Sequence, residues 1–179
     1  MKKYNIIYAD PPWTYADMKW RNPSMWWISY PTMSLQEIKC LPIHNISEKD
    51  CWLFLWATMP LLKEALEVWE SWWFRYITCA FTWVKKNPKW EWIYSWLWHW
   101  TNWNAELCLF FKKWSPSRHA KNVKQICLAP RWKHSAKPSE IRDRIVSLMW
   151  DLPRVELFAR DKVEWWDSWW NEIESDIIF

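Results

Sequence analysis

No glycine occurs in these 179 residues, whereas tryptophan occurs 23 times. A chain of this length carries about 13 glycines on average, because tight turns and helix ends need a residue that accepts positive φ. Many of the tryptophans stand where such turns are expected. Trp90 follows Asn87-Pro88-Lys89, Trp114 precedes Ser115-Pro116, Trp132 lies within Pro130-Arg131-Trp132-Lys133, and Trp150 precedes Asp151. An indole is a poor choice at positive φ. The pattern therefore reads as tryptophan standing in place of glycine. The affected positions are Trp20, Trp26, Trp27, Trp73, Trp90, Trp92, Trp96, Trp98, Trp103, Trp114, Trp132, Trp150, Trp165 and Trp170. The other nine tryptophans fall mostly within expected strands, helices or aromatic motifs. The chain as written is expected to fold poorly, and its function is in doubt for that reason.

The stretch IIYADPPW, residues 6–13, is the most chemically pointed. Tyr4 to Ala9 has the composition of a short strand. Pro11 and Pro12 lack the N–H that a sheet ladder needs, so the strand is expected to stop at Asp10. Ligand crevices of open α/β sheets lie at the carboxyl ends of strands. A carboxylate, free carbonyls and an indole face fixed there suit a flat ring bearing an amino group. The structural alternative is a turn closed by a capping aspartate.

Further along, Ser34 and Glu37 form a capping-box pattern that opens a helix through Cys40. Cys51 to Ala57 is a continuous apolar run, as in a strand buried on both faces. Pro60 opens a helix through Trp72, whose apolar positions Leu62, Ala65, Leu66, Trp69 and Trp72 share one face. Strands are expected over 74–84, 106–111, 123–129 and 154–159, with a helix from Pro138 to Met149 and irregular chain over 85–103. Strands alternating with helices predict an α/β layered sheet in one domain spanning 1–179.

Composition removes several classes. No apolar run is long enough to span a membrane, and Met1-Lys2-Lys3 does not open a signal segment, which points to the cytoplasm. Cys40, Cys51, Cys79, Cys108 and Cys127 are scattered, so they read as reduced core residues. No histidine or cysteine spacing suggests a metal. Charge is uneven: eight of the 24 basic residues fall within 112–137, where no acid interrupts them. The remaining 16 face 20 acids elsewhere. Such a window suggests phosphate contacts, with a solvated loop as the alternative.

The motifs, taken in order, resemble the DPPW-type adenine-N(6) methyltransferases. That family includes the catalytic subunit of the eukaryotic mRNA adenosine methylase and many phage and bacterial DNA adenine methylases. The resemblance rests on Asp10-Pro11-Pro12-Trp13, Tyr30-Pro31-Thr32-Met33-Ser34, Leu53-Phe54-Leu55-Trp56, Trp83-Val84-Lys85 and His99-Trp100-Thr101. It continues through His134-Ser135-Ala136-Lys137-Pro138 and Glu156-Leu157-Phe158-Ala159-Arg160 to Trp166-Asp167-Ser168-Trp169-Trp170-Asn171-Glu172. It implies a Rossmann-like sheet with flanking helices and the β-type permuted motif order. It also implies a bacterial or phage-infected cell, S-adenosylmethionine as cofactor, and nucleic acid as partner, DNA ahead of RNA. Asp10, Pro11, Pro12 and Trp13 would be catalytic, and Tyr30 would line the base pocket. Lys121 and Lys124, within the basic window, would contact the nucleic acid. Lys137, Phe158, Arg160, Asn171 and Glu172 would surround the cofactor, with Lys137 toward its carboxylate and Glu172 toward its ribose. His134 is as well explained by a hydrogen-bonded turn. Trp165 and Trp170 crowd the implied cofactor site, and Trp26 and Trp27 crowd the implied substrate loop.

A catalytically silent nucleic-acid-binding subunit is the main alternative, and an intact DPPW stretch argues against it. An amino-cytosine methylase would more usually begin that motif with serine.

Overall fold

The computed structural model describes residues 2–14, 31–89, 92–94, 96–97, 101–131 and 136–179. Tyr30, Trp100, His134 and the suspect tryptophans Trp20, Trp26, Trp27, Trp90, Trp98 and Trp132 lie outside the described residues.

Strands β1 (Tyr4–Ala9), β2 (Ser47–Ala57), β3 (Arg75–Lys86), β6 (Ala105–Lys113), β7 (Ile126–Pro130), β8 (Arg154–Leu157) and β9 (Asp167–Trp169) form one sheet in the order β7-β3-β6-β2-β1-β8-β9. β1 pairs in parallel with β2 and β8, while β6 runs antiparallel to both β2 and β3. The carboxyl ends of β1, β2 and β8 therefore meet the start of β6 at one edge. Ala9 lies beside Leu55 and Leu157, and Ala57 lies beside Leu107.

Helices cover both faces. Helix α1 (Leu35–Lys39) carries the expected capping box between Ser34 and Glu37. With α2 (Leu62–Ser71) it packs on the face bearing Ile7, Ala9, Leu53 and Leu55. Helix α3 (Glu140–Met149) packs Ile141, Ile145 and Met149 on the other face, against Ile6, Tyr8, Phe54 and Trp56. Alternate residues of β1 and β2 thus feed opposite cores, as the two-residue period of a strand dictates. This is the α/β layered sheet that the strand–helix alternation predicts, in the Rossmann-like form that the resemblance implies.

Several boundaries differ from the sequence expectations. β2 begins at Ser47, because the polar Ser47-Glu48-Lys49-Asp50 stretch extends the ladder beyond the apolar run. The segment expected to be irregular includes a short hairpin, β4 (Trp96–Leu97) with β5 (Asn102–Trp103). β7 starts at Ile126, later than expected, and β8 ends at Leu157, so Phe158 and Ala159 are outside it. Strand β9 gave no apolar signal, being three residues long. Cys51, Cys108 and Cys127 are buried thiols, but Cys40 is exposed where it caps α1, so it is not a core residue. No helix among the described residues is long and apolar enough to cross a membrane.

Candidate active site

Pro11 and Pro12 end β1 as their missing N–H groups require, and the turn they make is fixed by the main chain. The Trp13 N–H donates to the Pro11 carbonyl (2.9 Å), and the Met33 N–H donates to the Pro12 carbonyl (2.8 Å). Asp10 is left at the carboxyl edge of the sheet, at the mouth of a cavity of about 50 Å³. The walls are built from Asp10 to Trp13, from Trp56, Ala57 and Thr58 at the end of β2, and from Trp103, Glu106, Lys137 and Arg160.

Charge in this cavity is arranged as a chain. Lys137 Nζ lies 2.6 Å from Asp10 Oδ2 and 3.3 Å from Glu106 Oε2, while Lys85 Nζ lies 2.6 Å from Glu106 Oε1. The Lys137, Glu106 and Lys85 side chains are buried, and Asp10 is the most open at 20% exposure. Lys137 also lies over the Trp56 ring, 5.4 Å from its centre. Two acids and two ammonium groups balance, as burial of charge demands.

Burial pushes the Asp10 carboxyl above its ordinary range, against the opposing pull of Lys137. Burial acts in the same sense on Glu106, but Lys137 and Lys85 outweigh it and hold that carboxyl low. Lys137 is raised despite its burial, because Asp10 and Glu106 flank it. Glu106 accordingly stabilises the fold above the pH at which it titrates when unfolded. That contribution is lost as pH falls through its depressed folded pKa. Glu106→Ala is expected to cost about 3–5 kcal/mol, since Glu106 is the acid that contacts both lysines and its loss leaves the buried Lys85 ammonium without its carboxylate. Urea unfolding at neutral pH measures this, and a loss below about 1 kcal/mol would mean that the network relaxes into water.

Trp13 is buried, and its indole N–H has no acceptor among the described residues. An unpaired buried donor costs about 1–3 kcal/mol, and this one sits in the wall of the cavity.

The other expected site residues divide into two groups. Phe158 follows β8 with φ of 62°, and its N–H donates to the Trp169 carbonyl (2.7 Å). Trp170, at the end of β9, packs on Phe158 with ring centres 5.1 Å apart. Asn171 and Glu172 come next; they are exposed and are not part of the cavity wall. Arg160 is in the wall and half-buried.

The basic window does not form one patch. Lys137 is inside the cavity, whereas Lys112 and Lys113 lie at the opposite edge of the sheet, where Lys113 pairs with Cys51. Lys121 and Lys124 are exposed on the segment after β6, tied to the far end of α3 by His119 and Ala120 N–H bonds to the Leu148 carbonyl. Lys85, Trp103 and Glu106 were not singled out as site residues from the sequence. A lone acid near the start of an otherwise apolar strand, Glu106-Leu107-Cys108-Leu109, was the available signal for Glu106.

The charges suit a zwitterionic cofactor carrying a carboxylate, but the space does not. Pockets that hold drug-sized ligands run to about 300–1,000 Å³. Trp103 narrows this one, its ring 4.1 Å from Lys85 Nζ and its indole N–H bonded to the Ala105 carbonyl. The cavity as bounded by Trp103 does not fit S-adenosylmethionine. Among the described residues no group of acids, cysteines and histidines is arranged to hold a metal.

Comparison with known proteins agrees with this architecture. The chain is 36% identical to the Type II methyltransferase M.MunI of a Mycoplasma species, over 99% of this chain and 81% of that protein. It is 28% identical to a Medicago truncatula protein named as an N(6)-adenosine-methyltransferase MT-A70-like, over 88% of this chain but 24% of that longer protein. Residues 4–172 match the MT-A70 family model, which takes in every strand and helix described above, and the chain belongs to the MT-A70 family.

Proposed function

We propose that this chain is an S-adenosylmethionine-dependent methyltransferase that methylates the 6-amino group of adenine in DNA. The observation that carries the proposal is Asp10, held by Lys137 in the cavity where β1 ends. The amino nitrogen of adenine is a poor nucleophile because its lone pair is delocalised into the ring. Asp10 Oδ2 is engaged by Lys137, which leaves Oδ1 to accept one amino hydrogen. The Pro11 carbonyl has a second lone pair beyond the one used by Trp13 and can accept the other. Both bonds favour a pyramidal nitrogen whose lone pair is freed for attack. Their contribution is orientation and electrostatics. The raised affinity of Asp10 for a proton suits it to receive one once the nitrogen becomes cationic.

S-adenosylmethionine would supply the methyl group in this reading, and its admission requires a residue smaller than tryptophan at position 103. Glu172 at the end of β9 supports a ribose contact, since a carboxylate accepts from two hydroxyls. Phe158, Arg160 and Asn171 stand near the same sheet edge. In this reading residues 1–179 form one methyltransferase domain that works in the cytoplasm.

Incubation with methyl-labelled S-adenosylmethionine and either plasmid DNA or an RNA transcript tests the proposal. After digestion, N(6)-methyladenine in the DNA supports it. Label confined to RNA favours the adenosine activity named for the plant relative. Nucleic-acid binding without label in either points to a silent subunit.

Lys121 and Lys124 are proposed to hold phosphates flanking the target. Replacing both by glutamine should weaken DNA binding equally across sequences. The slope of log K against log salt should become shallower by about 0.9 for each duplex phosphate that is no longer neutralised. An unchanged slope would mean that both lysines are merely solvated.

A further inference from the structure

We propose that the fourteen suspect tryptophans are glycine in the working protein, because its source decodes as glycine a codon rendered as tryptophan in this sequence. Independent point substitutions would leave some glycines in place and would introduce many residue types. Loss of every glycine together with an excess of one residue is the signature of a codon, and it requires that the gene write glycine with that codon and not with GGN. Tryptophan is written UGG in the standard code and UGA where that stop codon has been reassigned. UGA can equally be reassigned to glycine.

The backbone supplies an observation independent of composition. Trp73, Trp114, Trp150 and Trp165 have φ of 64°, 62°, 86° and 69°. All four belong to the set marked from the sequence, Trp114 and Trp150 by their turn context. Trp73 follows α2 with the paired bonds of a Schellman motif, Trp73 N–H to Glu70 and Phe74 N–H to Trp69. Its place in that motif is the one that glycine usually fills. Trp150 ends α3 with ψ of 176°, a combination that is essentially restricted to glycine. Trp165 is third in a turn closed by the Trp166 N–H on the Val163 carbonyl, where positive φ again selects glycine. Phe158 shares positive φ but is buried and packs on Trp169, which is outside the suspect set.

Burial sets the four positive-φ tryptophans apart from the buried ones read as original, although Trp170 of the suspect set is itself buried. Trp73, Trp114, Trp150 and Trp165 are 54–78% exposed, and the contacts to three of them, His44 on Trp73, Lys49 on Trp114 and His119 on Trp150, leave most of each indole in solvent. Trp56, Trp72 and Trp83, read as original, are at most 1% exposed. Their indole N–H groups bond Tyr8, Ile38 and Ala129. Trp103 belongs to the suspect set, and glycine there would remove the ring that narrows the cavity beside Lys85.

The codons and the natural protein decide the matter without any assay of activity. The gene is expected to carry UGA at Trp73, Trp103, Trp114, Trp150 and Trp165, and UGG at Trp56, Trp72 and Trp83. Tandem mass spectrometry of the protein purified from its source should find glycine in the peptides spanning 73, 103, 114, 150 and 165. UGG codons at those positions, or tryptophan in those peptides whatever the codon, would overturn the proposal.

Discussion

Replacing Asp10 by alanine in a glycine-restored protein is expected to lower methyl transfer to DNA by about 10²- to 10⁴-fold, the range associated with losing a positioned proton acceptor. The fold should survive this change. Asp10 is the most open member of the buried charge chain, and Lys137 keeps Glu106 at 3.3 Å when Asp10 is gone. Thermal melting and DNA affinity should therefore change little while turnover collapses. Asp10→Asn separates two roles. It keeps one acceptor oxygen for the amino group but loses the charge that stabilises a cationic nitrogen, so its activity should lie between those of wild type and Asp10→Ala. If both variants turn over near the wild-type rate, Asp10 only caps the end of β1 and the amino group is held elsewhere.

The parts of this site that were legible from the sequence are those fixed by local chemistry. Two prolines end a strand wherever it lies, so Asp10 could be placed at a sheet edge before any pairing was known. The Ser34–Glu37 capping box and the apolar face of α2 are likewise properties of a few consecutive residues. What was not legible depends on pairing between distant strands. Glu106 reaches Lys137 because β6 runs antiparallel beside β2 and starts where β2 ends. Lys85 reaches Glu106 because β3 lies along the other side of β6. Neither register is written within either strand. The basic window is likewise spread by pairing, since β6 carries Lys112 and Lys113 to the edge opposite Lys137.

Restoring glycine at only Trp73, Trp114, Trp150 and Trp165 is expected to raise the melting temperature by roughly 10–30 °C. A left-handed backbone costs a non-glycine residue about 1–2 kcal/mol, so four positions release roughly 4–8 kcal/mol. That is comparable with the whole stability of a domain, about 5–15 kcal/mol. For a chain of this size each kcal/mol corresponds to about 2–4 °C. Little is lost in exchange, because all four indoles are mostly in solvent. Removing them also reduces exposed apolar surface, which lowers the tendency to aggregate. The internal control is glycine at Trp56 or Trp72, which should destabilise by about 3–5 kcal/mol as a buried ring is replaced by a cavity. Opposite signs for the two sets would show that the tryptophans differ in origin as they differ in φ and burial. If the fourfold variant melts no higher than the parent, the backbone tolerates indoles at these turns and the strain argument fails.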